Sequence, residues 1–203
     1  MGRNKEMNEK MKDQRREQIF SSALKLFATR GLAATKISDI AADANFSQGL
    51  VYHYFKSKEE IFIDLIKMAF EKLNTAARQL AAFDLPPLKK IRLAYTSLMK
   101  GLITSEDASL THLLIATSAA STSIPEEARK IFDREHAVPY EIMQKIIEKG
   151  QQEGTIIQTD AYQLSLLFWS TIRGLSIYRA LYQDTFIIPD VEIVLQMFIK
   201  KEK

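Results

Sequence analysis

The stretch SQGLVYHYFKSKEE, residues 47–60, sets Tyr52, His53 and Tyr54 beside Lys56 and Lys58, directly after Gln48 and Gly49. Each of these residue types has a use at a nucleic acid. Gln reads a base edge, Gly lets a backbone approach closely, Tyr and His donate to phosphate or stack, and Lys neutralises phosphate. A helix made only for packing would turn its aromatics inward and leave lysines as a solvated face. With Ser47 as N-cap, a step of about 100° per residue puts Val51 and Phe55 on one side and Tyr54 at its margin. Gln48, Gly49, Tyr52 and His53 then fall on the other side, free to meet a partner. Combined, their chemistries point to duplex DNA, and a phosphate near the start of such a helix is favoured by its unpaired N–H groups.

The elements that would hold this helix are legible on both sides of it. In REQIFSSALKLFATRG the apolar residues Ile19, Phe20, Ala23, Leu24, Phe27 and Ala28 recur at three- and four-residue steps, and Gly31 stands where a C-terminal cap belongs. KISDIAADAN repeats the spacing over two turns, with Thr35 as a capping residue and Asn45 closing it. Two short helices joined by a few residues form a helix-turn-helix. Thr35 and Lys36 then lie at the start of the helix that flanks the groove, where they and Lys58 reach backbone phosphate. Ser57 followed by Glu60 is a capping box, and from Lys58 an apolar stripe continues through Ile61, Leu65, Ala69, Leu73 and Leu80 to about Ala82. DLPPL at 84–88 breaks the chain. Further helices are expected near 88–104, 107–121, 125–153, 160–182 and 190–201, with Pro125 in a first turn, Asp160 and Asp190 as caps, and Pro139 kinking or splitting its helix. The expected architecture is all-α: a DNA-binding domain over 1–57, a connecting helix over 58–84 and a helical domain over 85–203. No strand, repeat or low-complexity segment is expected.

Composition is consistent with a globular chain: 203 residues, 46% hydrophobic, 26% charged and no cysteine. Without cysteine there is no disulfide, thiolate metal site or cysteine nucleophile. The polar N-terminus and the lack of a long apolar run predict a cytoplasmic protein without a signal peptide or membrane span. Charge is uneven: residues 1–58 hold 11 Lys and Arg against 6 Asp and Glu, and residues 59–203 hold 17 against 19. That asymmetry gives the head a positive balance suited to a polyanion. The three histidines, His53, His112 and His136, are widely separated, and there is no HExxH, Glu-x-x-His or phosphate-binding glycine loop. Neither an enzyme nor a metal or cofactor site is expected, although an all-helical enzyme is one alternative class.

ALKLFATRGLAATKISDIAADANFSQGLVYHYFKSKEEIF, residues 23–62, resembles the DNA-binding signature of TetR-type transcriptional regulators. The shared pattern is a Phe-x-x-x-Gly helix ending, a threonine, Asp-Ile-Ala, a Ser-x-Gly recognition helix finishing Tyr-x-Tyr-Phe, and lysines leading into the next helix. The resemblance implies a dimeric repressor on an inverted-repeat operator, released by a small molecule bound in the C-terminal domain. Carried over by position, it implies DNA contacts from Thr35, Lys36, Gln48, Gly49, Leu50, Tyr52, His53 and Lys58. Lysine is common in the family where Gln48 stands and threonine where Leu50 stands, so base preference is expected to differ; Leu50 suits a thymine methyl group.

In the C-terminal part, Tyr95, Met99, Ile115, Phe132, Met143, Phe168 and Trp169 are able either to line a cavity or to fill a core, and helical spacing alone favours core. His112, His136 and Arg173 are the polar handles. Arg173 lies in LLFWSTIRGLSIYRAL, where a buried guanidinium needs a carboxylate, solvent or an anionic ligand. A largely hydrophobic small molecule is the expected ligand. Helix 160–182 is apolar over much of its surface with Gly174 permitting close approach, and Val191, Val194, Leu195, Phe198 and Ile199 form a stripe on the last helix; both are expected at a homodimer interface. The alternative is a helix-turn-helix protein that acts constitutively or through protein partners, without a small-molecule ligand.

Overall fold

Apolar residues at helical spacing need a second surface to cover them, and here helices cover helices throughout. The computed structural model describes residues 2–199. The head comprises α1 (Gly2–Arg30), α2 (Ile37–Asp43) and α3 (Gln48–Tyr54). After it come α4 (Lys58–Ala82), α5 (Pro87–Thr104), α6 (Glu106–Ala120), α7 (Glu126–Glu135), α8 (Val138–Gln152), α9 (Ala161–Tyr182) and the short α10 (Val191–Leu195).

Local chemistry explains most of these boundaries. Gly31, at φ 80°, ends α1, and Asn45, at φ 56°, turns the chain between α2 and α3; both occupy the left-handed region that glycine and asparagine tolerate. Ser47 Oγ accepts from Leu50 N at 3.2 Å and Ser57 Oγ from Glu60 N at 3.2 Å, so both serines cap as expected. The Glu60 carboxylate reaches Lys56 N rather than Ser57 N, one residue beyond a standard capping box. At α2 the expected cap is displaced. Lys36 is the N-cap residue, and its N–H donates to the Asp39 carboxylate at 2.8 Å. Asp160 and Asp190 accept from Gln163 N and Glu192 N.

Two expectations about helix extent change, while the break at Pro139 holds. α1 runs back to Gly2 through the polar N-terminal stretch, which lacks proline and is rich in strong helix formers, so the helix continues there without an apolar stripe in its sequence. The long segment 125–153 splits at His136 and Ala137, just ahead of Pro139. The last helix ends at Leu195 because the chain turns there, and Ile199 forms a single antiparallel bridge with Ile156.

Two hydrophobic cores result. One joins α1, α2, α3 and the first half of α4 to α6 and α7, with edge-on aromatic pairs Phe20–Phe55, Phe27–Phe62 and Phe70–Phe132. The other gathers Leu80 of α4 with α5, α8, α9 and residues 194–198. α4, 25 residues and about 37 Å long, contributes to both.

Candidate nucleic-acid interface

α3 is only seven residues long, so its placement depends on what lies behind it. Val51 and Phe55 are buried, and Tyr54 packs at the edge of the same core. Arg16 closes this side: its guanidinium lies 5.3 Å from the ring centroids of both Phe20 and Phe55 and pairs with Asp64 at 3.0 Å. Lys25 reaches Asp43 at 2.8 Å, tying α1 to α2 and holding the Asp43 carboxyl below its ordinary range.

With its inner face fixed, α3 presents Gln48, Gly49, Tyr52 and His53 to solvent, and Tyr52 is 55% exposed. Lys36 and Lys56 are also exposed and Leu50 is half-buried. Gly49 is informative because the protein itself does not require it. A Cβ there would meet nothing nearer than Ser47 Oγ at 4.0 Å, and its φ is ordinary, so any demand for a missing side chain comes from outside.

Two of the residues expected at DNA are engaged inside the protein. Thr35 is fully buried and its hydroxyl donates to Gly31 O at 2.8 Å. This corrects its assignment as a phosphate contact: the side chain secures the α1–α2 connection. Lys58 Nζ donates to Leu32 O and Thr35 O, both at 2.8 Å, and to Ala33 O at 3.4 Å. An ammonium has three protons, and these three carbonyls account for them. Lys58 therefore clamps the start of α4 to the α1–α2 connection, and the expectation of a free phosphate-seeking lysine is corrected. Sequence reasoning missed Arg16, whose position in a polar run concealed its stacking on Phe55.

The expected ligand residues do not converge on one site. Ile115 and Phe132 belong to the core shared with the head, and Phe168 is fully buried against Trp169 and Phe198. His136 is exposed, with Nδ1 2.8 Å from Phe132 O. Tyr95 and Met99 flank an open groove of about 550 Å³ beside residues 188–191, where the Tyr95 hydroxyl donates to Pro189 O at 2.8 Å. His112, Tyr140 and Arg173 lie close together. The Arg173 guanidinium is 5.4 Å from the Tyr140 ring centroid, and burial first, then Arg173, pushes the His112 imidazole down to about 4. Of the residues expected at a ligand, Met143 and Trp169 alone line the cleft of about 460 Å³ between α4, α5, α8 and α9.

Among the described residues no group of acidic, histidine or cysteine side chains is arranged to hold a metal ion, and no helix is long and apolar enough to cross a membrane.

Comparison with known proteins adds four observations. The family model described as bacterial regulatory proteins, tetR family, matches residues 19–65, the segment containing α2 and α3. The HTH-type transcriptional repressor KstR2 of Mycolicibacterium smegmatis is 35% identical over 77 residues, 38% of each chain, so this chain spans well under half of that relative's length in the match. KstR2 of Rhodococcus jostii is 25% identical over 167 residues, 80% of each chain. The solved structure of the ketosteroid transcriptional regulator KstR2 of Mycobacterium tuberculosis superposes with a TM-score of 0.73 over 92% of this chain and 96% of that one, at 22% identity, a likeness of fold.

Proposed function

Because this chain belongs to the TetR family of bacterial transcriptional regulators, we propose that it is a DNA-binding repressor that sits on an inverted-repeat operator as a homodimer and leaves it when a small molecule binds the C-terminal helices. The observation that carries this reading is the outward face of α3. It combines a base-reading amide, a glycine that no internal contact demands and two donors to phosphate on a helix rigidly backed by Phe55 and Val51. Lys36 and Lys56 add positive charge beside it.

A second surface supports the dimer. α9 exposes Tyr162, Leu166, Leu167, Tyr178 and Leu181, an apolar face that the monomer leaves uncovered. A twofold axis along this face would bring two α9 helices together and set two heads on one side of the DNA. A ligand that binds better to one head spacing than to the other would then shift operator affinity by that difference. No catalytic arrangement is needed for any of this.

The test is retention of genomic duplex fragments in the presence of excess unrelated duplex. The proposal expects a few fragments to survive competition and Gln48→Ala to lose that selectivity. Uniform retention that disappears with salt would instead indicate a nonspecific polyanion binder.

A further inference from the structure

Lys90, in the first turn of α5, is the one buried lysine among the described residues, at 8% exposure. Its ammonium donates to Ala81 O, in the last turn of α4, at 2.6 Å. An ammonium has three protons, and among the described residues this bond engages only one of them. A buried ammonium with protons to spare is costly unless solvent or an anion completes it. Beside it lies a pocket of about 210 Å³ walled by Leu85, Pro87, Ile142 and Ile146. Lys145 and Lys149 of α8 complete the lining, and among the described residues no Asp or Glu joins them. The two stand at i and i+4, where like charges repel. Lys145 pairs with no carboxylate among the described residues, and Lys149 reaches only Glu153, at 3.9 Å. Three ammoniums thus converge on one apolar-walled pocket without a counter-charge.

We propose that this pocket binds a small organic phosphate monoester, with the phosphate among Lys90, Lys145 and Lys149 and the first carbons of the ester against Leu85, Ile142 and Ile146. Lysine serves phosphate as a point charge, and three of them offset a group that carries close to two negative charges at neutral pH. The volume is smaller than the about 300–1,000 Å³ of sites for drug-sized ligands, which suits a compact molecule. The phosphate does not come from DNA bound at α3: Ala81 lies about 35 Å along α4 from Lys58, at the end remote from the head. Nor is this the apolar cleft of about 460 Å³, with which the pocket shares Ile142 alone. Because Lys90 also holds the last turn of α4, an anion on Lys90 acts at the helix that packs into both cores.

The full-length protein without DNA is titrated by calorimetry with butyl phosphate, inorganic phosphate and 1-butanol. The pH is one at which the ester is a dianion, and ionic strength is held constant with sodium chloride. The expected result is saturable binding of butyl phosphate, binding of inorganic phosphate weaker by about threefold or more, and none of 1-butanol. Lys145→Gln/Lys149→Gln, at exposed positions, should weaken butyl phosphate by about tenfold or more. Lys149→Gln alone serves should that double variant fail to fold. Lys67→Gln/Lys72→Gln, at exposed positions on α4, removes the same charge and should leave the affinity unchanged. No saturable response to butyl phosphate, equal binding of inorganic phosphate or of 1-butanol, wild-type affinity in the folded α8 variant, or an equal loss in both double variants would each overturn the proposal. With no DNA present, the outcome is independent of operator binding and of release from it.

Discussion

Gly49 offers the sharpest residue-scale test, because two readings of it predict opposite signs. With open space around the missing Cβ and ordinary helical φ, Gly49→Ala should leave folding intact and raise stability by up to about 1 kcal/mol. If DNA approaches the backbone there, the same substitution should weaken DNA binding; thermal melts and fluorescence anisotropy on one preparation read both. Gln48→Ala should cost about 1–3 kcal/mol at particular base pairs and little elsewhere, measured against single-base variants of a bound duplex. Lys58 carries a contrasting prediction. As a clamp on three carbonyls it is structural, and Lys58→Ala should lower unfolding stability by about 1.5–3 kcal/mol. The slope of log affinity against log salt should then hold, whereas a lost phosphate contact would reduce that slope by about 1. The exposed face of α3 was legible in sequence because a short helix has only two sides and Val51 and Phe55 claim one. The partners of Thr35 and Lys58 are backbone carbonyls of the α1–α2 connection, which no side-chain pattern records.

For the elements, local sequence governed where helices begin and long-range contacts governed where some of them end. Caps at Ser47, Ser57, Asp160 and Asp190 depend on neighbours within a few residues, so they could be read along the chain. The end of α10 depends on Ile157 N donating to Phe198 O at 2.9 Å, a contact between segments some forty residues apart. The same contact corrects the dimer stripe. Val194, Leu195 and Phe198 are buried within the monomer, and of that set only Ile199 is exposed. Uncovered apolar surface lies instead on α9. Leu166→Glu would put a charge into a face that, in a dimer, buries one such leucine from each protomer at about 1.5–3 kcal/mol apiece. The dimer dissociation constant should rise by about a hundredfold or more, as read by sedimentation velocity across a concentration series. A wild-type protein that sediments as a monomer at every concentration would remove α9 as an interface. Gly174 is exposed, with no atom within 4 Å of where a Cβ would stand, and so leaves room for that partner.

On the scale of the whole molecule, a positively biased head and a helical body are joined by α4, which packs into both hydrophobic cores. Fold class and the outward face of the head could be anticipated because they follow from period and capping. The cleft could not. Helical spacing indicates that Trp169, Phe168 and Phe132 are buried, yet only the three-dimensional packing separates the one that lines a cleft from the two that fill cores. A sequence-specific dimeric regulator would need head, α4 and α9 to satisfy one geometric condition on DNA. Selection of bound sequences from random duplex DNA at near-physiological salt, followed by sequencing, tests it most directly. The expected result is an enriched inverted repeat whose half-sites lie about one helical turn or a multiple of it apart, with base preference in each half-site relaxed by Gln48→Ala. Recovery of no common sequence, or of a single asymmetric site bound by one protomer, would contradict it.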